Sequence, residues 1–115
     1  MDLNVKNEQR ELILINFPFT DFSSYKIRPV LVISNNKYNL SSEDILVCGI
    51  SSKPRYDIWN VNINNNDLES GHLNEDGIIK VDHIVKISKS IIIKNIGKLK
   101  EGKFIEIKEK LKLLF

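Results

Sequence analysis

Apolar residues along this chain fall in short, dense runs separated by polar stretches. ELILINF (11–17), PVLVIS (29–34) and DILVCGI (44–50) are nearly continuous apolar runs, the pattern of strands covered on both faces. In WNVNIN (59–64), Trp59, Val61 and Ile63 alternate with asparagines, which predicts one dry face and one wet face. GIIKV (77–81) and IIIKNIGKL (91–99) supply further extended segments, while NNNDLESGHLNEDG (64–77) is polar and reads as a long connection or a flexible excursion.

The C-terminal stretch EGKFIEIKEKLKLLF behaves differently. Phe104, Ile107, Leu111 and Leu114 fall at helical spacing, with lysines and glutamates on the opposite face. Glu106 and Lys110 stand four apart in the favourable order. Short strands closed by one terminal amphipathic helix predict a mainly β fold with α (α+β), a small, strongly bent β-barrel whose open end the helix plugs.

Length and composition narrow this further. The chain has 115 residues, 42% hydrophobic and 28% charged, which fits one folded domain over 1–115 rather than a disordered segment. No apolar run approaches the roughly 18–20 residues of a membrane span. The polar start MDLNVKNEQRE lacks the apolar core of a signal peptide, so the expected location is the cytoplasm. The net charge of +2 permits nucleic-acid binding without demanding it. Cys48, the single cysteine, lies in an apolar run and reads as a small buried hydrophobe. His72 and His83 are not spaced as metal ligands, and no cofactor is expected. His83 has the residue type of a general acid or base, but its sequence position alone favours a structural histidine.

Three features carry candidate chemistry. Arg28 shares a strand face with Val30 and Val32, and Pro29 after it removes a ladder donor. That places Arg28 at a sheet rim, either as a solvated cation or as an anion clamp whose fork suits phosphate oxygens. In GISSKPR (49–55), a strand ends in Ser51 and Ser52 beside Lys53 and Arg55. Such hydroxyls either complete a turn or, beside a phosphate, stabilise its oxygens. In TDFSSYK (20–26), Phe22 and Tyr25 either pack under the loop or stack on unpaired bases.

In order and spacing these segments resemble the MazF/PemK family of toxin endoribonucleases. The likeness runs from about Glu11 to the terminal helix. It is most specific in FPFTD followed by K-x-RPVLVIS (Lys26 to Ser34), then Asn35-Asn36 and Tyr38-Asn39, DILVCGISS, KVDHIVKISKS before a short helical turn, and IGKLKEG. The resemblance implies an SH3-like barrel and a metal-independent, sequence-selective endoribonuclease acting on single-stranded RNA. It also implies a homodimer neutralised by a cognate antitoxin. By the same resemblance the catalytic residues are Arg28 and Ser51, and RNA contacts come from Phe19, Thr20, Ser24, Tyr25, Lys26, Ser52, Lys53 and Arg55. Two departures stand out: Ser51 where the family has a threonine, and Arg10-Glu11 where members often show Gly-Asp. Cleavage would use the neighbouring 2′-hydroxyl as nucleophile, leaving a 2′,3′-cyclic or 3′-phosphate and a 5′-hydroxyl. Arg28 is ill-suited as the base, because a guanidinium is already protonated near neutral pH and has no site to accept a proton; donating one to the leaving 5′-oxygen suits it better. The competing readings are a non-enzymatic toxin of the same fold that binds DNA gyrase, and a relative that binds RNA or antitoxin without cleaving.

Overall fold

The structure, a computed structural model, describes residues 7–18, 25–53 and 57–115, with backbone alone at 18 and 25. The apolar runs become antiparallel strands: β1 (Glu11–Pro18), β2 (Tyr25–Val32), β3 (Asp44–Ser51), β4 (Asn60–Ile63), β5 (Leu68–Gly71), β6 (Gly77–Ser88) and β7 (Ile92–Leu99). They form one strongly curled sheet in the order β4-β6-β3-β2-β1-β7-β5.

Alternation along the strands explains why the central ones are apolar throughout. Leu12, Leu31, Cys48, Ile50, Ile79 and Leu99 belong to one buried cluster, whereas Ile13, Ile15, Val30, Val32, Val47 and Ile87 belong to a second. Successive side chains point to opposite faces, so the two clusters lie on the two sides of the sheet. The terminal helix α2 (Glu101–Leu114) covers the first, burying Phe104 and Ile107, with Leu111 and Leu114 packed against it. This is the closing role its periodicity predicts. A fully buried aliphatic or aromatic side chain contributes about 1.5–3 kcal/mol, which holds the helix although Lys100 at its start gives no side-chain cap.

Between β2 and β3 lies the short helix α1 (Asn36–Ser41), which Asn35 caps by accepting from the Tyr38 N–H at 2.8 Å. Its Asn39 is fully buried. The Asn39 amide donates to the carbonyls of Asn7 (2.7 Å) and Ser34 (2.9 Å), and its oxygen accepts from the Ser34 hydroxyl. The Ser34 hydroxyl oxygen in turn accepts from the Leu46 N–H at 3.0 Å. One buried amide thus ties the end of β2, α1 and β3 together.

Three expectations need correcting. The polar stretch 64–77 is not a bare connection: it holds a 3-10 turn (Asn65–Asp67) and β5, which pairs with β7. Buried Leu68 and Leu73 anchor it, and the Asn65 side chain holds the Leu73 backbone from both its N–H (2.7 Å) and its carbonyl (3.0 Å). Secondly, β2 begins at Tyr25 rather than at Pro29, because residues 25–29 pair with β1. Thirdly, GIIKV and the following DHIVKIS form a single strand, β6.

Arg10, just before β1, holds a backbone conformation that suits glycine. Its φ of +81° lies in the left-handed region, which costs a non-glycine residue about 1–2 kcal/mol. The guanidinium offsets this by donating to the Leu99 carbonyl at 2.7 Å and to Glu69 at 3.2 Å. Arg10→Ala keeps the backbone cost and loses the clamp, whereas Arg10→Gly loses both. Urea unfolding should therefore find the glycine variant more stable than the alanine variant by about 1 kcal/mol; equal stabilities would show that this φ costs nothing.

Candidate functional site

Pro29 sits where the sheet comes apart. The Ile33 N–H donates to the Leu46 carbonyl across the β2–β3 boundary, while the Val32 carbonyl accepts from Arg10 on the β1 side. Backbone groups alternate sides along a strand, so the nitrogen of Pro29 also faces β3. The register Val30↔Gly49, Leu31↔Cys48 would set Pro29 opposite Ile50. Proline has no N–H to give there, and the ladder stops at Val30↔Gly49 although β3 continues to Ser51. Residues 25–29 remain paired with β1, and Gly49–Ser51 remain paired with β6. The rim expectation for Arg28 thus takes an unusual form: an internal edge near the middle of the sheet.

Grooves open on both sides of this split and share Arg28, Pro29, Ile50 and Ser51. One, of about 420 Å³, lies on the face of the second cluster, floored by Ile15, Val30, Val47 and Val85 and rimmed by Arg28, Ser51, Lys80 and His83. The other, of about 460 Å³, is lined by Lys26, Ile27, Ser52, Lys53 and the segment 73–77. Arg28 is exposed and Ser51 half-buried. The Ser51 hydroxyl oxygen accepts from the Lys53 N–H at 3.1 Å. The first groove therefore offers two cations, a hydroxyl and an imidazole over an apolar floor.

A bulge in β6 forms the far wall. Cys48 pairs with Ile84 but Gly49 pairs with Lys80, so Val81, Asp82 and His83 are extruded from the ladder. The extra length reverses the alternation: Ile79 before the bulge and Val81 within it face the first cluster, Val85 and Ile87 after it the second. His83 is thereby laid over Gly49, where a Cβ would stand 2.5 Å from its Nδ1. Beneath the bulge the Cys48 thiol donates to the Val81 carbonyl at 3.5 Å. Burial, with a smaller contribution from the Asp82 charge, pushes this thiol up to about 12.

A family profile and solved structures both match this chain. A sequence profile of the PemK-like, MazF-like toxins of type II toxin–antitoxin systems matches residues 8–115. The chain belongs to the PemK/MazF toxin family.

Solved structures of similar fold include a MazE–MazF complex from Deinococcus radiodurans, with a TM-score of 0.78, 20% identity and 96% of each chain covered. Another is an endoribonuclease bound to its cognate antitoxin from a mycobacterial species, with a TM-score of 0.76 and 16% identity, covering 92% of this chain and 91% of that one. The Mycobacterium tuberculosis toxin MazF-mt6 aligns with a TM-score of 0.69 and 18% identity over 88% of this chain and 93% of its own. No curated protein matches the sequence.

Within this PemK/MazF chain, the residues expected from sequence divide into three groups. Arg28 and Ser51 come together on the first groove, and Lys26, Ser52 and Lys53 line the second. Phe19, Thr20, Phe22, Ser24 and Arg55 lie outside the described residues, as does the side chain of Tyr25. Sequence reasoning missed Gly49 and Lys80 and set His83 aside. The break in alternation between Val81 and Ile84 is the signal that points to them. Among the described residues, no group of three or more His, Cys, Asp or Glu is placed to hold a metal, and no helix is long and apolar enough to cross a membrane.

Two outcomes follow from this geometry. In Pro29→Val the new amide should be protected from hydrogen exchange by the Ile50 carbonyl, extending the ladder by a rung. Free-peptide exchange at that amide would mean that the split has another cause. The Cys48 thiol should resist iodoacetamide at pH 8 and label only at the rate of unfolding; rapid labelling of the folded protein would contradict its burial.

Proposed function

We propose that this toxin is a metal-independent, sequence-selective endoribonuclease that cleaves single-stranded RNA. The observation carrying this reading is that Arg28 and Ser51, from different strands, rim one groove at the β2–β3 split in a chain of the PemK/MazF family. RNA brings its own nucleophile, the 2′-hydroxyl, so the protein must stabilise a crowded, highly charged phosphorus and manage protons. The Arg28 fork pairs with the non-bridging oxygens, which a guanidinium does better than any other side chain. It also protonates the departing 5′-oxygen. Ser51, whose oxygen already accepts from Lys53 N–H, retains its own hydrogen for a phosphate oxygen. The products are a 2′,3′-cyclic or 3′-phosphate and a 5′-hydroxyl.

Lys26, Ser52 and Lys53 on the adjoining groove follow the RNA backbone. The segments 20–26 and 53–57, with Phe19, Thr20, Ser24, Tyr25 and Arg55, meet splayed-out bases and set selectivity. A homodimer, and inhibition by a cognate antitoxin in the cytoplasm, complete the reading; the mycobacterial and Deinococcus neighbours solved with their antitoxins support the latter.

Incubation of the purified protein with a long single-stranded RNA in excess EDTA should yield discrete fragments ending in 5′-hydroxyls. Arg28→Ala and Ser51→Ala should each lower kcat by about 100- to 1000-fold, the usual cost of losing one transition-state donor, whereas Ser51→Thr should retain activity. RNA left intact by the wild type, with Arg28→Ala behaving identically, would overturn the proposal.

A further inference from the structure

We propose that His83 is the general base of this site, taking the 2′-hydroxyl proton from the bound nucleotide; the role rests on the endoribonuclease reading above. The position is built rather than incidental. β6 gives up its ladder with β3 over Val81, Asp82 and His83, and bulges of this kind re-aim side chains beside active sites. Across from the bulge stands Gly49, and any side chain there would strike the imidazole, since a Cβ would come within 2.5 Å of Nδ1. The ring atoms nearest that point are Nδ1, Cε1 and Cγ, so Nε2 lies on the far side of the ring, away from β3. His83 is exposed and shares its groove with Arg28 and Ser51.

Among the described residues, the lining of its groove holds no carboxylate. The charged groups around it there are Arg28 from β2 and Lys80 from its own strand, with Asp82 next to it in the bulge but not part of the lining. β1 contributes only apolar side chains to the groove and β4 carries no charged residue. Cys48 underneath is buried and held protonated. Imidazole can be unprotonated near neutral pH and so free to accept a proton, which neither guanidinium nor ammonium is. In the step itself, Nε2 takes the proton of the 2′-hydroxyl, and the freed oxygen pair forms the new bond to phosphorus. The bond from phosphorus to the 5′-oxygen breaks, its electron pair leaves on that oxygen, and the oxygen takes a proton from Arg28. Water then restores the Arg28 proton and removes the one held by His83.

The test is the pH dependence of kcat on a defined single-stranded RNA. For the wild type, kcat should climb about tenfold per pH unit on the acid side and then level, as a base must be neutral to act. His83→Gln should lose that limb and fall about 100-fold or more with KM unchanged, and imidazole in the buffer should restore activity to His83→Ala. On a substrate with sulfur replacing the bridging 5′-oxygen, which needs no acid, His83→Gln should remain slow. Gly49→Ala, by displacing the ring, should lower kcat in the same direction. Wild-type rate and pH profile in His83→Gln, with Arg28→Ala inactive, would overturn the role of His83 and leave the endoribonuclease reading standing. Recovery of the wild-type rate by His83→Gln on the sulfur substrate would likewise overturn the base role, assigning the imidazole to the leaving group. Intact RNA with the wild type would end both readings.

Discussion

The missing amide hydrogen of Pro29 is the constraint from which the site's geometry follows. In a sheet apolar on both faces, buried backbone groups must find partners, and strands therefore pair wherever they can. β2 and β3 run side by side until Pro29 has nothing to donate, and there they part. The loss of one ladder bond costs about 1 kcal/mol net, little against a core in which Leu12, Leu31, Val32, Ile45 and Ile79 are fully buried. The result is an edge inside the sheet. Arg28 emerges at that edge with its backbone still held by β1, opposite Ile15. A long cation thus gains access to solvent and to ligand without leaving a rigid strand.

A second irregularity meets the first from the other side. The β6 bulge opens the β3–β6 ladder at Gly49, the residue at which the β2–β3 ladder also ends. Gly49 is thus the last rung before the gap on the β2 side and adjoins the bulge on the β6 side. Regular pairing would have closed both grooves with side chains of adjacent strands. Two local failures of pairing leave instead a concavity whose rim carries the polar groups and whose floor is the second hydrophobic cluster. The same floor stiffens the supports, because Val30 and Val47 are buried in it one alternation away from Arg28 and Gly49.

Much of this was legible because alternation and helical spacing report burial directly. The terminal helix, the two-faced strands β1 and β3, and the edge character of Pro29 follow from residue types at fixed spacing. What was not legible depends on partners far away in the chain. β5 has one buried apolar residue, Leu68, and exists because β7 offers it a free edge. The first half of β2 is exposed, with Ile27 59% accessible, so nothing in its pattern distinguishes it from loop until β1 is placed beside it. The bulge left a trace, since apolar Val81 and Ile84 are out of phase for a continuous strand. Yet a phase slip in sequence reads equally as two segments, and only the register against β3 joins them.

Arg10 and Ser51 show how local chemistry supports the residue that is present. At Arg10 the backbone retains the left-handed turn that a glycine would take freely, and the arginine's own side chain supplies the compensating bonds to Leu99 and Glu69. At Ser51 the methyl that would restrict a threonine's rotation is absent. The hydroxyl is oriented another way, by accepting from the Lys53 N–H. An oxygen that accepts from the backbone keeps its hydrogen free to point elsewhere, and here the open direction is the groove shared with Arg28. Orientation of this hydroxyl therefore comes from the turn that ends β3, through the backbone N–H of Lys53.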